Sequence, residues 1–102
     1  MIAPPQFDPV IHAPTRLQIC AMLATVENAE FSAIRDTIGV SDSVLSKHVK
    51  QLEDAGYVAV SKATAMSRLR TWLTLTRDGK RAFKAHVAAL EALAGQARLV
   101  AE

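Results

Sequence analysis

The stretch SDSVLSKHVKQLEDAG, from Ser41 to Gly56, carries a punctuation mark at each end. Ser41 is placed to cap a helix, and Asp42 complements the helix dipole in the first turn. Gly56 closes the helix, since a left-handed terminal residue is easy only for glycine. At about 100° per residue, Leu45, Val49 and Leu52 fall on one stripe. Ser43, Lys47 and Lys50 lie opposite, with Ser46 at the margin and the acids Glu53 and Asp54 at the far end. A helix with so narrow an apolar stripe must rest on a core built by other elements. Its outward face is then hydroxyl and amine, the chemistry that reaches phosphate oxygens and base edges.

A second, shorter helical pattern stands just ahead. Phe31 is expected in a strand of one or two residues, and Ser32 is the expected N-cap of a helix ending near Ile38. Ala33, Ile34, Thr37 and Ile38 form its apolar side, and Gly39 suits its C-terminus. Two helices across a short glycine-containing turn, the second capped and polar outside, make the helix-turn-helix pattern. Upstream, Pro14 fits a first helical turn. The run TRLQICAMLATV that follows puts Leu17, Cys20, Ala21 and Ala24 on one stripe, widened by Ile19, Met22 and Leu23. This helix is expected to end near Glu27 or Asn28. Cys20, on the stripe, reads as a small core residue. Residues 1–12 are proline-rich and weakly patterned, and read as an arm on the surface or on a partner.

After Gly56 the period changes to two. Val58 and Val60 point one way while Tyr57, Ala59 and Ser61 point the other. Later, Leu69, Thr71, Leu73 and Leu75 share one face, and Arg68, Arg70, Trp72 and Thr74 the opposite one. Two alternating runs predict a β-hairpin. No Asn-Gly or Asp-Gly marks its turn, so a long, mobile tip is expected over ATAMS, with Lys62, Arg68 and Arg70 as a cationic finger. Thr76 is the expected cap of a final helix, in which Phe83, Val87, Leu90 and Ala94 repeat at helical spacing with Leu93 and Ala97 alongside. Gly95 marks a point where this helix could bend or fray. A helix this long and apolar exceeds what so small a core can cover, so the surplus suggests a seam between two copies.

The length of 102 residues fits one domain with a single core. Five aromatic residues (one Trp, one Tyr and three Phe) leave that core to Leu, Ile, Val and Ala. The single cysteine excludes an intramolecular disulfide. No apolar run approaches the roughly 18 residues of a membrane span. MIAPPQFDPV lacks the basic start of a signal peptide, so a cytoplasmic protein is expected. Net charge is only +2, but residues 57–77 hold Lys62, Arg68, Arg70 and Arg77 with no acid, which offers a polyanion a surface. No Ser/His/Asp or Cys/His pairing, glycine-rich phosphate loop or apolar carboxylate pair argues for an enzyme, and no cofactor is expected.

The segments VSDSVLSKHVKQLEDAGYV at 40–58 and LTLTRDGKRAF at 73–83, with the entry HAPTRLQICAML at 12–23, resemble single-domain prokaryotic regulators of the MarR/ArsR-like winged-helix group, in their compact form of about one hundred residues. The resemblance implies a mostly α fold with a small β-hairpin, in the order α-(β)-α-α-β-β-α. It implies an arm over 1–12 and a winged helix over 13–102, with recognition helix 42–55, wing 57–75 and dimerisation helix 77–99. It further implies a homodimeric transcriptional regulator, read as a repressor, on a near-palindromic site in double-stranded DNA. Ser41, Ser43, Ser46, Lys47 and Lys50 of the recognition helix would contact DNA at the major groove, and Lys62, Arg68 and Arg70 of the wing along the backbone or in the adjacent minor groove. Phe83, Val87, Leu90, Leu93, Ala94 and Ala97 would form the dimer seam. Metal sensors of the ArsR type carry ligand clusters. Here His12, His48 and His86 stand singly beside one cysteine, so no metal is expected. The competing reading is a winged-helix module that binds a protein and leaves DNA untouched.

Overall fold

The computed structural model describes residues 6–101. Five helices and three strands follow in order: α1 (Pro9–His12), α2 (Pro14–Leu23), β1 (Ala29–Glu30), α3 (Phe31–Ile38), α4 (Asp42–Asp54), β2 (Val58–Ala65), β3 (Arg68–Leu75) and α5 (Arg77–Ala101). The strands form one antiparallel sheet in the order β1-β3-β2. The core gathers Ile19, Cys20 and Leu23 of α2, Ile34 of α3, and Leu45, Val49 and Leu52 of α4. Val58, Leu73 and Leu75 of the sheet complete it. This is the expected winged-helix order, with the stripe of α4 turned inward as its spacing requires.

Several local expectations change. The N-terminal segment is no loose arm where it is described. Asp8 accepts from the amides of Val10 and Ile11 and so caps α1, whose Ile11 is fully buried. The proline content masked this turn. Residues 1–5, the rest of that expected arm, lie outside the described residues. Helix α2 stops at Leu23, short of Glu27, and turns Ala21 and Ala24 to solvent while Ile19, Cys20 and Leu23 point inward. The larger side chains win the core because they remove more apolar area from water. The strand before α3 is Ala29–Glu30, and Phe31 already begins the helix with Glu30 at its cap. Ser32 instead donates to Glu30 Oε1 at 2.9 Å, and Ala33 and Thr37 are exposed.

The hairpin tip is short. Ala65 pairs with Arg68, which leaves Met66 and Ser67 as a two-residue turn with φ of 54° and 65°. Both central residues at positive φ is the type I′ geometry that matches strand twist. The expected long tip followed from the missing Asn-Gly; Met-Ser takes the same conformation without it. Helix α5 runs unbroken through Gly95 to Ala101. Thr76 caps it by accepting from the Gly79 amide at 2.9 Å, while its own hydroxyl donates to the Gly56 carbonyl. Gly79 is buried here: an added Cβ would lie 2.1 Å from the Tyr57 carbonyl oxygen.

Candidate nucleic-acid interface

Helix α4 is fixed along its buried stripe of Leu45, Val49 and Leu52, at its front and on one flank, and these supports decide which residues face outward. Its front is capped by Ser41, whose hydroxyl accepts from the Val44 amide at 3.2 Å. Asp42 is tied back to α3 by Arg35 at 2.7 Å, and Arg35 also reaches Asp36. One flank is held by Arg16 of α2, which donates to Gln51 Oε1 and lies 3.2 Å from His48 Nδ1. Burial, the Arg16 charge and Lys47 lower the His48 pKa, with Gln51 opposing, so the ring is favoured neutral and suited to accept from Arg16. His48 is thus half-buried and engaged in packing α4 on α2. The other flank borders an open cleft of about 360 Å³ against the sheet, lined by Asp42, Ser46, Lys50 and Glu53 from α4 and by Val60, Thr71 and Leu73.

Between the flanks, Ser43 and Lys47 are exposed, as are Ser41, Ser46 and Lys50. Val44 joins them at 42% exposure, an apolar spot in the leading half of the helix that the polar pattern hid. A side chain of that kind suits the methyl group of thymine. Lys50 pairs with Asp54 one turn on at 3.0 Å, and that partner raises its pKa. Its reach toward an anion competes with this exposed pair, a weak one by its setting.

The wing divides its cations differently from the expected finger. In the ladder, Lys62 faces Thr71, and Arg70 faces Ala63. Because faces alternate along a strand, Lys62 lies on one side of the ribbon and Arg68 and Arg70 on the other. Arg70 also makes a two-pronged contact to Glu30, at 2.8 and 2.9 Å. The bond from Arg70, followed by that from Ser32, holds the Glu30 carboxyl below its ordinary pKa. Arg70 therefore braces the hairpin against β1. Lys47, Lys62 and Arg68 carry no ion-pair partner among the described residues. Trp72, on the arginine face, sits half-buried opposite Ser61 and Glu30.

Helix α5 presents Gly79, His86 and Ala89 to its own chain. Phe83, Val87 and Leu90 are half-buried, and Phe83 packs against the core. An apolar groove of about 560 Å³ runs between Ala24 and α5, along Phe83, Val87 and Ala88, with Lys80, Lys84 and Glu91 at its rim. Farther out, Leu93, Ala94 and Ala97 are exposed, Leu93 at 51%. The six residues expected to form a seam thus split into an inner group that partly serves the core and an outer group in solvent.

Spacing along the chain gave no sign of the cluster below α5. His86, 1% exposed, accepts the Asp8 amide at Nδ1, and its Nε2 lies 3.2 Å from His12 Nδ1. Since an amide can only donate, the His86 proton resides on Nε2 and is given to His12. Burial, then the neighbouring His12, lowers the His86 pKa, and Asp8 only partly opposes them. Tyr57 donates to Asp8 Oδ2 at 2.6 Å. Burial pulls the Asp8 carboxyl upward, but the bonds from Tyr57, Ile11 and Val10 outweigh it and hold it low.

The family described as winged helix DNA-binding domain matches residues 15–94. An uncharacterized protein of Methanocaldococcus jannaschii is 30% identical over 78 residues, covering 76% of this chain and 85% of its own. Among solved structures, a transcriptional regulator homologue from Pyrococcus horikoshii OT3 superposes with a TM-score of 0.81 at 29% identity, over 85% of this chain and 86% of that one. The YusO protein of Bacillus subtilis shares the fold with a TM-score of 0.75 at 24% identity, over 82% of this chain and 59% of its own.

Proposed function

The chain belongs to the winged helix DNA-binding domain family, and we propose that it acts as a homodimeric transcriptional repressor on a near-palindromic operator. The observation that carries this reading is the exposed hydroxyl-and-amine face of α4, held in place by Arg16 on one flank and Arg35 at its front. In this reading the leading half of α4 enters the major groove. Ser43, Ser46 and Lys47 then lie nearest the bases, Ser41 and Lys50 nearer the phosphates, and Val44 joins the reading face. Lys62 and Arg68 reach backbone phosphates from the wing, while Arg70 acts chiefly by holding the wing's angle through Glu30. The likeness to the regulator homologue of Pyrococcus horikoshii supports a regulatory role.

Binding to mixed genomic duplex fragments at about 50 and 200 mM salt tests the proposal, because each phosphate neutralised by a cation adds to the salt slope. The wild-type chain is expected to lose affinity steeply between the two conditions. Arg68→Ala should make the slope shallower by about one unit, as loss of one phosphate contact predicts. Absence of wild-type binding at the lower salt would refute DNA reading and leave the protein-binding module in its place.

A further inference from the structure

Helix α1 is too short to hold itself together. Its four residues fall well below the length at which a helix persists alone. It is fixed by the Asp8 cap, by the buried Ile11 and by His86 of α5, whose Nδ1 accepts the Asp8 amide at 3.0 Å. His86 in turn donates from Nε2 to His12 Nδ1 at 3.2 Å, and Phe7 lies against both rings, at 5.0 and 5.5 Å between centroids. These two bonds require both rings to be neutral. A proton added to His86 Nδ1 faces the donating Asp8 amide, and one added to His12 Nδ1 faces the donating His86. The charges nearby do not relieve this conflict. Asp8 attracts a charged His86, but burial and His12 outweigh it. Tyr57 occupies Asp8 Oδ2 and feels Asp78 from the start of α5, and Cys20 of α2 is a neutral thiol.

The far end of α1 reaches the reading helix. Arg16 donates from Nε to the Val10 carbonyl and from Nη2 to the Pro9 carbonyl at 3.5 Å. Its remaining nitrogen, Nη1, holds Gln51 and His48 of α4. No carboxylate pairs with Arg16 among the described residues, so the two α1 carbonyls aim it. The cations it meets on α4 are Lys47 and, once protonated, His48, and both act against the contact.

We propose that α1 is a proton-released latch on the reading helix: a proton taken up by the His12–His86 pair frees α1, Arg16 loses the carbonyls that aim it, and α4 loses its flank support. Arg16, His12 and His86 are then positioning residues for DNA binding, a role that rests on the DNA-reading proposal above. His86 is harder to protonate in place than in solvent, so acid favours the released form. The latch is complete above the solvent value of 6.5 and opens as pH falls below it. Added positive charge alone would strengthen binding to a polyanion in acid, so weaker binding there marks the latch.

Hydrogen exchange and duplex binding at about pH 7.5 and 5.5, at one salt concentration, test this. Wild-type affinity for a selected duplex should fall about tenfold at the lower pH, within the usual range of coupling between two sites. The amides of residues 10–12 should lose protection while those of α4 keep theirs. His12→Asn/His86→Gln retains an acceptor and a donor at these bonds without titrating, and should hold its affinity within about twofold. Arg16→Met should bind more weakly at pH 7.5 and lose nothing further at 5.5, although α1 still opens. By reciprocity, bound duplex should restore α1 protection at pH 5.5. A wild-type α1 that stays protected at pH 5.5, or a double variant with wild-type pH dependence, would overturn the latch. Wild-type pH dependence in Arg16→Met would overturn the route through Arg16, and wild-type binding that ignores pH would overturn the coupling alone. Absence of duplex binding by the wild type at pH 7.5 would overturn the coupling together with the DNA-reading proposal.

Discussion

At the scale of single residues, the glycine that matters most is the one whose helical setting hides its role. Gly39 and Gly56 announce themselves by position, and both take φ of 81°. Gly79 lies inside the first turn of α5, where the start of the helix presses on the Tyr57 carbonyl. Gly79→Ala is expected to destabilise the fold by about 1–3 kcal/mol, the range for forcing an atom into packed surroundings. Chemical denaturation reads this directly. An equal change at Gly95, which has open space around it, should be neutral or stabilising. Sequence punctuation could place Thr76 as a cap, but not the backbone that lies against Gly79. That contact joins residues from two elements and leaves no periodic trace. The same holds for Arg70: its alternation with core residues gave its face correctly, while Glu30, forty positions earlier, decides its partner.

At the scale of elements, legibility followed how local the determining physics is. Helix α4 was readable almost to the residue because its cap, stripe and stop all lie within sixteen positions. The tip of the wing was misread because its turn uses an uncommon residue pair. Helix α1 was missed because its partners are distant: Asp8 meets His86 across 78 positions and Tyr57 across 49. Those partners also make α1 sensitive to acid. A buried His86 whose folded pKa is depressed takes up a proton more readily when unfolded. Its stabilising effect is complete above the unfolded value of 6.5 and is lost as pH falls below it. Protonated, its Nδ1 would confront the donating Asp8 amide, and its Nε2 proton would still need His12 as acceptor. The depressed Asp8 carboxyl acts in the same direction at lower pH, holding its contribution above 3.8 and losing it below. The melting temperature should therefore drop between pH 7.5 and 5.5. His86→Gln, less stable at the higher pH, should show a flatter profile.

At the scale of the whole molecule, the principal extents are 56 × 27 × 21 Å. The 25 residues of α5 span about 37 Å at 1.5 Å per residue, so the helix supplies much of the long dimension. Its outer half, where Leu93, Ala94 and Ala97 are exposed, is where a second copy would bury apolar area. In the proposed homodimer, Leu93→Glu/Ala97→Glu is expected to shift sedimentation from dimer to monomer and to weaken operator binding about a hundredfold by removing the linked half-site. The melting temperature extrapolated to low protein concentration should stay close to wild type, since neither side chain enters the core. Cys20 bears on the molecule in another way. Its thiol, fully enclosed, has its pKa pushed up to about 11 by burial and by the Asp8 charge. With only one sulfhydryl in the chain, covalent tagging by a small electrophile would proceed no faster than the enclosing helices separate. The domain thus carries an internal clock for its own excursions out of the native state, and ligand occupancy could be read from how much that clock slows.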